Sequence, residues 1–225
     1  MTTYPNEDFY REQLALFDWE QLLNTGWDRV GDYFFHRRYD FTEIPFLNES
    51  IFIRAELLPL RYNLSHFSFS KSQRNVLKRN ADLTRVYQPI DITDEKLALF
   101  DRWYRFRFGC ESSIFTWVSN ENKPFPTHEV SFYKKDKLVA CSFYDSTPNF
   151  QYSTTAIFDP DEKHRSLGIL TLLAEIENGI VNRKKYHYPG HAYYESSMYD
   201  YKKRFNNMEG FDWNTEKWMP LPRIV

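Results

Sequence analysis

Only two cysteines, Cys110 and Cys141, occur among 225 residues, and they lack any paired spacing. That excludes a disulfide framework and a thiolate metal site, and it fits a reducing compartment, the cytoplasm. No apolar run reaches the roughly 20 residues of a membrane-spanning helix, so no membrane partner is expected. The opening stretch MTTYPNEDFYREQ is too polar for a signal peptide. Internal repeats and low-complexity tracts are missing as well. Net charge is small: 29 Lys and Arg against 31 Asp and Glu give −2 at pH 7. Such a balance argues against indiscriminate coating of nucleic acid and leaves room for a local basic patch.

Aromatic side chains are abundant instead, with 16 Tyr, 20 Phe and 6 Trp making 19% of residues. Most must fill the core, since each buries a large area, while a few can stack on bases. The length exceeds the commonest domain size and falls short of two full domains. The expected division is an N-terminal unit over 1–88 and a C-terminal unit over 89–225.

Along the chain, residues 8–24 carry helical spacing, and Gly26 is placed to stop a helix in a left-handed turn. WDRVGDYFFHRRY and SIFIRAELLPLRYNL read as strands with a looped insertion around Pro45. VYQPIDITDEKLALFDRWYRFRFG gives an extended entry and then a helix from Thr93 or Asp94 to Gly109. After the polar loop SNENKPFPTHE comes a hairpin turning at Lys135 and Asp136, then a strand NFQYSTTAIF that stops at Asp159-Pro160-Asp161. The longest regular helix follows, from Ser166 to about Asn182. Its apolar residues cover most of the circumference, leaving a narrow wet strip of Thr171, Glu175, Asn178 and Asn182, on which Glu175 is expected to be solvated. YHYPG reads as a short strand and ESSMYDYKKRF as a helix. The order implies an α+β fold, a mixed sheet with helices packed on it.

Two stretches could carry chemistry. In FSFSKSQRNVLKRNADL, Ser70 followed three residues later by Gln73 is a capping box, so Ser70 is the expected N-cap. Lys71, Arg74, Lys78 and Arg79 then share one face, opposite Val76, Leu77 and Leu83. A basic face of this kind is by default a solvated surface; beside an anion-binding site it becomes a docking face. The second stretch, EKHRSLG, places Arg165, Ser166 and Gly168 at the opening of the long helix, whose free N–H groups favour phosphate. Acetyl-CoA-dependent acyltransferases of the GNAT type use such a mouth, with glycine or alanine where this chain has Leu170, whose branched side chain would crowd a pyrophosphate. His187 and His191 are separated by Pro189 and Gly190, which forbid the helical i, i+4 alignment of a metal pair, so neither a metal nor another cofactor is assigned.

Taken in chain order, these segments resemble the arginyl- and leucyl-tRNA–protein transferases, which attach an amino acid to protein N-termini. GWDRVGDYFF resembles the family's Gly-aromatic-x-Arg-x-Gly-x-Tyr segment through Gly26, Trp27, Arg29, Gly31 and Tyr33. FSFSKSQRNVLKRNADL is similar to its Ser-Gln-Arg block, and FDPDEKHRSLGILTLLAEI to its Asp-Pro, Arg-Ser-Leu-Gly and Glu-Ile series. YHYPG and YDYKKRF resemble its Tyr-x-Tyr-x-Gly and Tyr-Lys-x-x-Phe elements. The resemblance spans roughly residues 20–218 and leans toward the bacterial, leucyl-transferring branch. Departures are specific: the family's N-terminal cysteines are absent, Met198 stands where the pattern has lysine, Tyr199 where it has methionine, and His191 where it has an aromatic residue.

The resemblance implies a GNAT-like fold with an N-terminal α+β extension, and aminolysis of an aminoacyl-tRNA ester by the α-amine of a protein beginning with Asp or Glu. That amine titrates near 7.7–8.0, so roughly a tenth is nucleophilic at neutral pH, and rate is expected from positioning and oxyanion donors. On this reading Lys71, Arg74, Lys78, Arg79, Arg165, Ser166, Gly168 and Lys202 bind the aminoacyl-tRNA, Arg29 and Tyr201 meet the acceptor, and Tyr188 and Asp159 orient the amine. The competing expectations are an acetyl-CoA-dependent N-acetyltransferase and a non-catalytic relative that binds tRNA or acidic N-termini.

Overall fold

The computed structural model describes residues 7–10, 18–46, 49–118 and 126–222. Strands β1 (Glu7–Tyr10), β2 (Asp28–Val30) and β3 (Tyr33–His36) form a small antiparallel sheet in the order β1-β3-β2, with helix α1 (Asp18–Asn24) between the first two in sequence. The helical spacing read over 8–24 therefore fails at its start: residues 8–10 pair with β3, and edge pairing overrides a local pattern. Gly26 takes φ 84° just beyond α1. The insertion expected around Pro45 is instead strand β4 (Tyr39–Phe46), antiparallel to the 15-residue β5 (Glu49–Asn63). Proline is tolerated there because, among the described residues, β4 has a partner only on its β5 side.

The main sheet runs β13-β12-β5-β10-β9-β8-β7-β6, with β4 and β11 also on β5. Its members are β6 (Thr84–Pro89), β7 (Thr127–Lys134), β8 (Lys137–Ser146), β9 (Phe150–Phe158), β10 (Tyr186–Tyr188), β11 (His191–Tyr193), β12 (Met208–Asp212) and β13 (Lys217–Pro220). Residues from both sides of the expected 88/89 boundary share it, β5 lying between β12 and β10. The hairpin at Lys135 and Asp136 is present, with Lys135 at φ 57°. Most of the polar loop, residues 119–125, lies outside the described residues.

Helix α2 (Lys71–Arg79) starts with the anticipated reciprocal box between Ser70 and Gln73. Helix α3 (Asp94–Phe108) is capped by Thr93 and ends at Gly109 in the left-handed conformation. Helix α4 (Leu167–Val181) follows a 3-10 turn at Pro160–Arg165. Leu138, Cys141 and Phe143 of β8 pack with Leu99, Phe100 and Trp103 of α3, whereas Val139, Ala140 and Tyr144 pack with Leu167, Leu170 and Ala174 of α4. The two helices thus cover opposite faces, which is why β8 is apolar on both. A second group joins Leu172, Leu173 and Ile176 to Leu60, Tyr62 and Leu64 of β5. Truncating fully buried Leu173 to alanine would cost about 2–5 kcal/mol. The helix expected over ESSMYDYKKRF is reduced to one 3-10 turn, Asp200–Arg204.

Candidate active site

Among the described residues β9 and β10 are the one parallel pair, joined through α4, and their register ends at Tyr152 opposite Tyr188. Beyond Tyr152, β9 continues on β8 alone, while the chain turns at Pro189 and Gly190 (φ 77°) and joins β5 as β11. The strands part, and a cavity of about 540 Å³ opens between them under the amino-terminal half of α4. This mixed sheet with a splayed parallel pair and a helix over the gap is the α+β arrangement anticipated from the sequence.

Trp103, Phe158, Ile169, Leu172 and Met198 supply apolar wall, and Asp28, Arg107, Lys163, Glu175, His191 and Lys202 supply ionisable groups. Asp28 is buried on β2, and its carboxylate accepts from the Arg29 N–H at 2.8 Å, from the Tyr152 hydroxyl and from His191 Nδ1. Burial alone would raise its pKa, but His191 and these donors outweigh burial and hold it below the usual range. Lys202 donates to the His191 carbonyl at 2.9 Å, and desolvation pushes its ammonium down to about 8 despite Asp28 and Glu175.

Glu175 corrects the sequence reading: it is 2% exposed, not solvated. The polar strip of α4 faces the cavity and the sheet at Thr171 and Glu175, because a helix lying across a gap turns its polar residues into that gap. Burial pushes the Glu175 carboxyl up to about 8. The Ser153 hydroxyl touches it and lies 2.9 Å from Nε2 of His187, a fully buried ring whose pKa burial pushes down to about 3.

The basic helix and the mouth of α4 are brought together. Arg79 donates to the His164 carbonyl at 2.8 Å and reaches Ser166 Oγ at 3.5 Å, and the Asn80 amide donates to the Arg165 carbonyl at 2.9 Å. Lys71, Arg74 and Lys78 are exposed on the same helix. Arg165 itself is held by Asp82 in a two-pronged pair, 2.8 and 2.9 Å, and by Glu162 at 2.8 Å. Ser166, in the left-handed conformation, gives α4 no side-chain cap. A Cβ on Gly168 would stand 3.1 Å from the Phe158 ring, so glycine lets α4 approach β9. Leu170 is buried in the core, so its side chain does not crowd the mouth as the sequence suggested.

Other expected site residues are spent on structure. Arg29 forms a buried two-pronged pair with Asp145, Nε–Oδ2 2.9 Å and Nη2–Oδ1 2.7 Å. Tyr188 packs away from the cavity with its hydroxyl 3.3 Å from Arg61 Nη1. Asp159 caps the 3-10 turn and pairs with Lys137 at 2.7 Å and with Arg102. Tyr201 and Lys202 do line the cavity. Sequence reasoning missed Asp28, Ser153 and Arg107; Asp28 adjoins the matched Arg29, and the other two carry no motif signal.

A family model described as "Arginine-tRNA-protein transferase, C terminus" matches residues 95–212. The chain belongs to that family. An "Aspartate/glutamate leucyltransferase" of Shewanella putrefaciens is 30% identical over 154 residues, covering 65% of this chain and 64% of that enzyme, so the alignment spans less than two thirds of that relative. An enzyme of the same name from Campylobacter jejuni is 25% identical over 197 residues, 84% of this chain and 77% of that protein. Among solved structures, a chain described as the C-terminal domain (DUF2156) of a lysylphosphatidylglycerol synthetase from Agrobacterium fabrum superposes with a TM-score of 0.50 at 16% identity, over 88% of this chain and 57% of that one. That likeness concerns the fold alone. No helix among the described residues is long and apolar enough to cross a membrane.

Proposed function

We propose that the protein is an aminoacyl-tRNA–protein transferase that moves an amino acid from its tRNA to the α-amine of a protein beginning with Asp or Glu. The observation that carries this reading is adjacency: the exposed cationic face of α2 abuts the uncapped amino end of α4, which roofs the cavity. Phosphates of the acceptor stem meet Lys71, Arg74, Lys78 and Arg79, and the terminal nucleotide meets Ser166 and Gly168 with Arg165 alongside. Leucine is the favoured cargo, because the relatives are named leucyltransferases and the cavity has an apolar wall. A donor of this kind places the reaction in the cytoplasm.

Arg29 is committed to Asp145, which leaves Arg107 as the cavity's other arginine to meet the acceptor's acidic side chain. Arg107 lines the cavity and makes no ion pair with a described residue; its Nη2 lies 3.4 Å from Met198 Sδ. A planar guanidinium is the natural fork for a carboxylate. Tyr201 adds wall on the acceptor side, and Tyr188 and Asp159 act from behind the site by holding Arg61 and the turn before α4. Incubation with leucyl- or arginyl-tRNA and a peptide starting with Asp or Glu should lengthen the peptide by one residue. No product with either donor would sink the proposal.

A further inference from the structure

Aminolysis of an ester has a proton problem that positioning does not solve. When the amine attacks, the tetrahedral intermediate carries N–H⁺ next to a ribose oxygen, and the amine is the better leaving group. Unless the proton leaves nitrogen and reaches that oxygen, the intermediate collapses backward. A group at the cavity wall able to take and return one proton raises the forward rate, typically by about 10²–10⁴-fold.

We propose that His191, held by Asp28, is that group. This rests on the transferase reading above and adds a residue to it. His191 lines the cavity, with 19% of its side chain exposed. An ionised carboxylate only accepts hydrogen bonds, so the contact with Asp28 Oδ2 places a histidine proton on Nδ1, and in the neutral ring the lone pair is then on Nε2. Nε2 has no partner among the described residues. Three donors converge on Asp28, from Arg29 N–H, Tyr152 Oη and His191 Nδ1, which fixes the carboxylate that fixes the ring. The ring is further wedged edge-on against Phe35, Tyr193 and Tyr199, at centroid distances of 6.2, 5.6 and 5.8 Å. Lys202 donates to the His191 carbonyl, not to the ring, so Nε2 stays available.

The step balances. The amine nitrogen forms the C–N bond, its proton passes to His191 Nε2, and His191, now a cation stabilised by Asp28, gives that proton to the ribose oxygen as the C–O bond breaks. Free tRNA and the extended protein leave, and His191 is neutral again. No outside acid or oxidant is required.

The test has two arms. In ¹⁵N spectra of the histidine-labelled protein, His191 should show the Nδ1–H tautomer, and Asp28→Asn should shift it toward Nε2–H; an Nε2–H form in the unaltered protein overturns the dyad whether or not any transfer is seen. In single-turnover transfer, His191→Phe, which keeps an aromatic ring against Tyr193 and Tyr199, should fold normally, keep both KM values and lose about 10²–10³ in kcat. Combining it with Asp28→Asn should cost little more, because the two act as one unit. A His191→Phe rate within about twofold of the unaltered protein would also overturn the proposal. If the unaltered protein transfers nothing from either tRNA, the functional reading fails while the tautomer still decides the geometry.

Discussion

Glu175 Oε2 stands 3.6 Å from His187 Nε2, with the Ser153 hydroxyl in contact with both. Both are buried and neutral in the folded protein near pH 6, for opposite reasons. Burial pushes Glu175 up to about 8 and His187 down to about 3.

Each group has its own pH window. From about 4.5 to 8 the folded state holds a proton on Glu175 that the unfolded chain has lost, so stability falls as pH rises through that range. From about 6.5 down to 3 the unfolded chain gains a proton on His187 that the folded state refuses, so stability falls as pH drops. The two slopes cancel between about 4.5 and 6.5, where this pair contributes a plateau. Glu175→Gln removes one slope, so its Tm relative to the unaltered protein should climb steadily between pH 5 and 8. A difference independent of pH would refute the buried, protonated carboxyl.

The capping box at Ser70, the Thr93 cap, the Lys135 turn and the start of α4 were legible because local hydrogen bonding decides them. Residues 8–10 and Pro45 were misread because distant strand partners decide them. Glu175 was misread because helical periodicity says which residues share a face, not whether that face meets water or a cavity. Arg107 and Asp28 were invisible for a related reason: 79 residues separate them, and only the parting of β9 from β10 puts both on one cavity.

The Arg29–Asp145 pair is at most 1% exposed on either side chain. Replacing Arg29 with leucine strands a buried carboxylate that Thr127 alone, at 3.0 Å, cannot compensate. The loss should be about 3–5 kcal/mol, read as a lower urea midpoint, and Arg29→Leu with Asp145→Leu should recover much of it. If the single variant is as stable as the unaltered protein, the pair is not structural and the acceptor role for Arg29 returns.

Arg107 is exposed at the cavity rim. Arg107→Gln should leave Tm unchanged, since no described carboxylate loses its partner. KM for peptides beginning with Asp or Glu should rise roughly 10- to 150-fold, one charge-assisted contact being worth roughly 1.5–3 kcal/mol, while KM for aminoacyl-tRNA stays fixed. A rise for the tRNA with no change for the peptide would assign Arg107 to phosphate instead.

Within α2 the four cations are not equivalent. Lys71 and Lys78 are exposed with no hydrogen bond to a described residue, whereas Arg79 is anchored to the His164 carbonyl and Ser166. Lys71→Glu and Lys78→Glu should each weaken tRNA binding and lower the slope of log K against log salt by about one, with Tm unchanged. Arg79→Ala should do both: weaken binding and loosen the turn before α4, seen as faster amide exchange there. Because that turn sets the uncapped end of α4 over the cavity, Arg79→Ala should also lower single-turnover kcat at saturating tRNA. Equal effects of all four cations on affinity, with none on kcat, would show that α2 only attracts the tRNA and does not help shape the mouth.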